Sequence, residues 1–317
     1  MVETAGRITL WGIEVFTATA DELSISAAAR RLGASPSSVS QQLSNLENAV
    51  GAILLDRSAR PLILTPAGAL FRRRAQSILN EAEQARAELA MQDLSSLTRF
   101  RLGMIEDFDA DVTPRLLSQM AGDLSSTQFL LETGASHRLF DLLDARALDV
   151  IVAADMGASA AWMEVHPLMQ EPFVAAVPKG AGASLADLRA LPLIQYTGRH
   201  HMGRQIASHL ATQNLRLDHR FELDSYHAIM AMVAAGAGWT ILTPLGFLRA
   251  QRFRGAADLM PLPFDPLTRC ISLTARREVL GDMPGDVAGR LRPLLSELIV
   301  EPALVEMPWL NGALRLL

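Results

Sequence analysis

The stretch SISAAARRLGASPSSVSQQLSNLENAV, residues 24–50, carries two short helical patterns joined at a glycine. Ser24 or Ser26 can cap the first, and its alanines allow close packing. Gly33 ends it, because a left-handed turn at that point favours a residue without a side chain. Ser35 is a plausible cap for the second helix, with Pro36 at its first position. Val39, Leu43 and Leu46 then form one apolar stripe. Ala29, Gly33 and Val39 have the spacing of a helix-turn-helix: a small contact residue, a turn, and an anchor on the second helix. Such a second helix lies in the major groove with its N-terminal polar residues at base edges. Here those are Pro36, Ser37, Ser38, Ser40, Gln41 and Gln42, with Ser35 beside them. Serine can hydrogen-bond phosphate or base edges, and glutamine can bind adenine through two bonds. An ordinary helical hairpin with a polar outer face has the same pattern and stays open on spacing alone.

Outward from this motif, residues 8–20 place Leu10, Ile13, Val15 and Phe16 at mostly helical spacing. Residues 52–64 are two apolar runs around an Arg-containing turn, which predicts a hairpin. Thr65-Pro66 opens a long helix with Leu70, Ile78, Ala82, Ala85 and Leu89 along one side, a length that suits a linking or dimerising helix. Beyond about residue 98, short β-like runs (FRLGMI, TQFLLE, DVIVAA, FVAAVP, PLIQY, CISLTA) alternate with helical stretches, which predicts parallel-sheet α/β architecture.

The net charge of -5 conceals a polarised chain. Residues 24–74 hold seven arginines, including Arg30, against Glu47 and Asp56, whereas residues 101–317 hold nineteen basic and twenty-four acidic groups. A basic head on an acidic body suits nucleic-acid contact, though uneven surface charge alone would look the same. No window has the roughly 18 apolar residues of a membrane span, and no membrane partner is expected. The N-terminus lacks the features of a signal peptide, and Cys270 is the only cysteine, so the expected compartment is the cytoplasm. No Cys-rich metal site is possible, and no GxSxG, GxGxxG, P-loop or HExxH motif is present, so neither an enzyme, a cofactor nor a metal is expected.

The run WGIEVFTATADELSISAAARRLGASPSSVSQQLSNLENAVGAILLDRSARPLILTPAG resembles the N-terminal domain of LysR-type transcription regulators along its whole length. The matching elements are AAARRLG, SVSQQLSNLE, the GAILLDR wing strand and LTPAG. Gln41 stands where that family often has arginine. The resemblance implies a winged helix-turn-helix at 1–65 and a linker helix at 66–97. It also implies an effector-binding domain at 98–317, built as two α/β lobes like those of periplasmic solute-binding proteins. Lobe one would span about 99–172 plus 272–300, and lobe two about 173–271. Weaker matches carry this further: ETGASHRLFDLLDARALDVIVA, HPLMQEPFVAAVPKG and MVAAGAGWTILTP, the last with Pro244 one residue later than usual.

In the wing, Arg57 and Arg60 suit phosphate or minor-groove contact, or are solvated loop residues; Arg72–Arg74 reads as a solvated face. The effector would lie between the lobes, lined by Glu106 and Asp107, by Ala135, Ser136 and His137 at a helix N-terminus, and by Gln195, Tyr196 and Thr197, with Trp239 and Thr240 nearby. The family commonly has small hydroxyl residues where the acids 106–111 stand. Either these acids hold a cationic group of the effector, or Asp107, Asp109 or Asp111 caps the next helix. His200 and His201 read as surface or cleft-rim residues, and Cys270 as a core cysteine. The expected function is gene regulation controlled by a small polar metabolite bearing a carboxylate, such as an amino acid. The expected partners are double-stranded DNA, a homotetramer of this chain, and RNA polymerase. A solute-binding module without gene regulation is the alternative.

Overall fold

The structure, a computed structural model, describes residues 7–90, 99–182 and 184–317, with backbone only at 83, 84 and 86–90. The first six residues, positions 91–97 of the expected linker and the side chain of Leu89 lie outside the described residues. The chain divides into two compact units.

The N-terminal unit starts with α1 (Leu10–Glu22), α2 (Ile25–Arg31) and α3 (Pro36–Val50). Ser24, not Ser26, caps α2, its hydroxyl accepting from Ala27 N at 3.3 Å. Gly33 has φ +63°, and the Ala34 N–H reaches back to Ala29 O at 2.9 Å, which closes the turn between the two helices. Ser35 caps α3 by accepting from Ser38 N at 3.2 Å. The expected hairpin is short: β1 (Leu55–Asp56) pairs antiparallel with β2 (Ile63–Leu64). α4 (Pro66–Ala90) follows, Thr65 accepting from Gly68 N at 3.0 Å. Ile13, Phe16, Ala29, Val39, Leu43, Leu46 and Leu54 form one core, with Phe71 of α4 edge-on to Phe16 at 5.3 Å. Leu70 and Ile78 of α4 are exposed, at 59% and 40%.

The C-terminal unit runs β3 (Arg99–Met104), α5 (Val112–Asp123), β4 (Gln128–Thr133), α6 (Ser136–Asp144), β5 (Val150–Ala154) and the long β6 (Met163–Pro172). It continues with β7 (Val174–Pro178), α7 (Leu185–Arg189), β8 (Leu193–Tyr196), α8 (His201–Thr212), β9 (His219–Leu223) and α9 (Tyr226–Ala234). β10 (Thr240–Leu242), α10 (Pro244–Arg249), β11 (Ala257–Pro261), β12 (Thr268–Arg276), α11 (Met283–Leu295), α12 (Glu301–Glu306) and β13 (Arg315–Leu316) complete it.

Lobe one is built on the sheet β13-β6-β12-β5-β3-β4, and lobe two on β10-β7-β11 and β8-β9. The sheets are mixed rather than parallel throughout. β3 pairs parallel with β4 and β5, and β8 with β9, but β12 runs antiparallel to both β5 and β6. The strands β6 and β12 carry the chain out of lobe one and back without a helical crossover, so they need not be parallel. β12 enters lobe one's sheet at Thr268, ahead of the expected 272, and the lobe extends past 300 because β13 pairs with the edge of β6. Arg269 and Cys270 therefore belong to lobe one's sheet, at the crossover between lobes.

Candidate functional site

The N-terminal unit presents one polar helix face. Val39, Leu43 and Leu46 bury the inner side of α3, which leaves Pro36, Ser37, Ser38, Gln41 and Asn45 exposed and Ser40 and Gln42 half-buried. Gln41 Nε2 donates to Asn45 Oδ1 at 3.0 Å, so the two amides act as a pair one helical turn apart. Asn45 escaped the sequence reading, although its place four residues after Gln41 was the signal. Ser35 is engaged in capping, its oxygen also 3.0 Å from Ser37 Oγ.

Arg57 does not project freely from the wing. Its guanidinium lies 2.7 Å from Glu47 of α3 and donates to Ser44 and Ser40 at 3.3 and 3.5 Å. Glu47 also accepts from the N–H groups of Leu54 and Leu55 at 2.8 and 3.2 Å, so this pair ties the wing to α3. Arg60 is exposed at the turn and donates to the carbonyls of Arg57 and Ala59. Arg30 is exposed at the end of α2.

In the C-terminal unit, a cavity of about 70 Å³ opens between the lobes. Lobe one supplies Glu106 and Asp107 from the turn after β3, and Ala135, Ser136 and His137 at the start of α6. Lobe two supplies Tyr196 from the end of β8, His200 and His201 at the start of α8, and Asp224 and Tyr226 at the start of α9. Gly203 lets α8 begin this close to the strand: a Cβ there would meet Thr197 O at 2.1 Å. At the back stands Arg269, 8% exposed.

Arg269 bridges two carboxylates. It contacts Asp107 at 2.9 Å and, through Nε, the fully buried Glu171 at 2.7 Å; Thr243 Oγ1 accepts at 3.4 Å. Burial pushes the Glu171 carboxyl up against the pull of Arg269. Burial also works against the charge on Arg269, but Glu171 foremost, together with Tyr226 and Asp107, holds it well above its usual value. The Asp107 side chain is 5% exposed; one carboxylate oxygen faces Arg269, and the other, Oδ1, is buried with no hydrogen-bond partner among the described residues.

These contacts bear on the capping alternative for the acidic turn. Asp111 occupies the cap position of α5 but makes no side-chain bond there. Asp109 forms a two-pronged pair with Arg249 of lobe two, at 2.7 and 3.2 Å. Asp107 faces Arg269 and the cavity. None of the three caps the helix by its side chain. Behind the acidic turn the cleft holds a buried arginine, Arg269, at a position expected in lobe two.

Several expected residues sit elsewhere. Gln195 points into a separate groove with Leu193, Ile206, Leu210 and His219. This follows from strand alternation, since its neighbour Tyr196 takes the cavity side. Trp239 and Thr240 are fully buried, and Thr240 Oγ1 donates to Ile194 O at 2.8 Å. Thr197 is 2% exposed, its hydroxyl donating to Glu222 at 2.6 Å. Tyr196 lines the cavity with its ring, but its hydroxyl already donates to Asp224 O at 3.0 Å. His200 and His201 line the cavity wall itself rather than an outer surface. Cys270 is half-buried rather than core, 3.6 Å from Ser272 Oγ.

Residues 10–69 match the family model for the bacterial regulatory helix-turn-helix protein, lysR family, and residues 93–281 match that for the LysR substrate binding domain. The chain is 25% identical over 270 residues to the DNA-binding transcriptional dual regulator OxyR of Escherichia coli K12, covering 83% of this chain and 88% of that one. A probable hydrogen peroxide-inducible genes activator of Mycobacterium avium is 33% identical over 184 residues, 58% of each chain. The fold is shared with a full-length OxyR variant of Pseudomonas aeruginosa, with TM-score 0.65, 23% identity and coverage of 90% of this chain and 95% of that one. It is also shared with full-length CbnR in complex with its target DNA, with TM-score 0.62, 21% identity and coverage of 90% and 100%. Among the described residues, no helix is long and apolar enough to cross a membrane.

Proposed function

The chain belongs to the LysR family of bacterial regulators, and on that premise we propose that its regulation of transcription answers to a small zwitterionic metabolite held between the two lobes. The helix-turn-helix binds DNA; a solute-binding role without gene regulation would leave that head unexplained. Its relatives are transcription regulators, and we assign the chain no catalytic role. The observation that carries the effector reading is Asp107 Oδ1, a buried oxygen without a partner at the cavity wall. Such an oxygen calls for a donor from the ligand, and an ammonium is the strongest. The carboxylate of the same ligand lies against the start of α6, where Ser136 Oγ, accepting from Ala154 N at 3.1 Å, still has its proton to donate.

The names of several relatives speak of hydrogen peroxide. Within these 317 residues there is one cysteine, so no disulfide can close inside the chain. Burial pushes the Cys270 thiol up, which lowers the thiolate fraction that reacts with peroxide. A metabolite therefore fits this cleft better than an oxidant.

We assign the assembly as a homotetramer in the cytoplasm, contacting RNA polymerase when bound at a promoter. The exposed Leu70 and Ile78 on α4 support pairing of such helices. Light scattering at micromolar concentration should return a multiple of the 34.4 kDa chain, and a strictly monomeric mass would contradict the assignment.

Base preference is expected to rest on Ser37, Ser38 and the Gln41–Asn45 pair. Gln41→Ala should lose about 1–3 kcal/mol of discrimination at one base pair. Arg60→Ala should weaken binding to every sequence and reduce the salt slope by about one. Arg57→Ala should act chiefly by loosening the wing from α3. Anisotropy titrations of operator and random duplexes at several salt concentrations separate these, and an unchanged salt slope in Arg60→Ala would remove Arg60 from the interface.

For the effector, calorimetry would compare amino acids, amines and plain organic acids on wild type and Asp107→Asn. Loss of at least about tenfold in affinity, confined to amine-bearing ligands, is expected. If the tightest ligand is a plain acid and Asp107→Asn binds it equally well, the zwitterion reading fails.

A further inference from the structure

Three of the seven histidines in the chain, His137, His200 and His201, line the small cavity between the lobes. They come from opposite walls. His137 is in the first turn of α6 on lobe one, and His200 and His201 are at the cap and first position of α8 on lobe two. The His137 and His200 rings are 5.2 Å apart, centroid to centroid, tilted by 46°. Among the described residues, His137 Nδ1 is buried with no hydrogen-bond partner, and the His200 side chain makes no cap bond to α8. We propose that the three imidazoles form a proton-loading oxyanion site: a carboxylate or similar group bound among them draws protons onto the rings, so binding tightens as pH falls. The proposal rests on the reading of this cavity as the effector site and adds to it a mode of regulation.

The surroundings set the sign. Burial foremost, then the neighbouring His137, holds His200 below its usual value; burial, then Arg204, does the same for His201. Glu106, Asp107, Asp224 and Asp155 lie about the cluster, and the exposed Asp141 and Asp144 line a second groove with His137. Asp107 is neutralised by Arg269, and Asp224 lies 3.6 Å from Arg199. Glu106 favours a charged His200, as does Asp224, and a backbone bond with Asp155 favours a charged His201. Arg199 disfavours a second positive charge at His200, and Arg204 and Arg269 do so at His201. Tyr196 and Tyr226 stay protonated, because burial raises both phenols. In the free protein His200 and His201 are therefore biased to the neutral form. A neutral imidazole is a weak partner for an anion, whereas a bound anion stabilises the imidazolium and raises its pKa. Between the free and bound values the complex holds more protons than its separate components. Affinity therefore rises as pH falls through the bound-state pKa and levels off below the free-state one.

The test uses sulfate, which stays doubly charged from pH 5.5 to 8, and the full chain with histidines ¹³C-labelled at Cε1. Sulfate is expected to shift the signals of His137, His200 and His201 while leaving those of His166, His209, His219 and His227 in place. Its affinity should rise several-fold between pH 7.5 and 6, since one pKa unit of coupling gives about tenfold only once pH lies below the free-state value. The calorimetric heat should vary with the ionisation enthalpy of the buffer, as proton uptake requires. His200→Asn and His137→Gln should each flatten the pH dependence. Sulfate binding at these rings with pH-independent affinity, or no shift at any of the three, would overturn the proposal. The zwitterion reading is judged separately, by the amino-acid calorimetry with wild type and Asp107→Asn compared at one fixed pH.

Discussion

Arg269 is the group on which the C-terminal unit turns. It is buried, it sits where β12 re-enters lobe one, and it contacts Asp107 on one side and Glu171 on the other. A guanidinium out of water is tolerable only with such partners. The two carboxylates are drawn from parts of the chain far apart in sequence: the turn after β3 and the end of β6. One buried charge thereby fixes the acidic turn against the crossover strands, and with it the polar wall of the cavity. Thr243, which also accepts from Arg269, opens α10, so the same group reaches into lobe two.

The cluster leaves one oxygen over. Asp107 Oδ1 is buried without a hydrogen-bond partner among the described residues, Asp107 lines the cavity, and three imidazoles stand around the same space. A ligand that brings both a donor and an anion satisfies the two halves together. Asp109 and Arg249 make a second link between the lobes close by, so a shift of the acidic turn on ligand binding would be felt in lobe two. A ligand moves such an equilibrium only by binding one arrangement more tightly than the other.

The architecture was largely legible in the sequence. Local signals that depend on neighbouring residues came through: the turn at Gly33, the caps at Ser24 and Ser35, and the apolar stripe of α3. The site was legible where it lies on helix starts, as at Ala135, Ser136 and His137, because a helix N-terminus can be recognised from its own residues. It was illegible where long-range pairing decides. Nothing around Arg269 marks it as the partner of Asp107, 162 residues earlier. Likewise Arg57 reads as a free wing residue until Glu47 is brought against it. Trp239 and Gln195 were misplaced because neither strand burial nor which side of β8 faces the cleft can be read from short apolar runs.

The role given to Arg269 is most directly tested by denaturant unfolding of the full chain in a mutant series. Arg269→Met alone leaves Asp107 and Glu171 buried without their cation and should cost about 3–5 kcal/mol. Adding Glu171→Leu and Asp107→Asn removes the stranded charges and should restore most of that loss, so the three changes are far from additive. If the triple variant is destabilised by the sum of the single effects, the three groups do not act as one buried cluster, and the account of the cleft built on them is wrong.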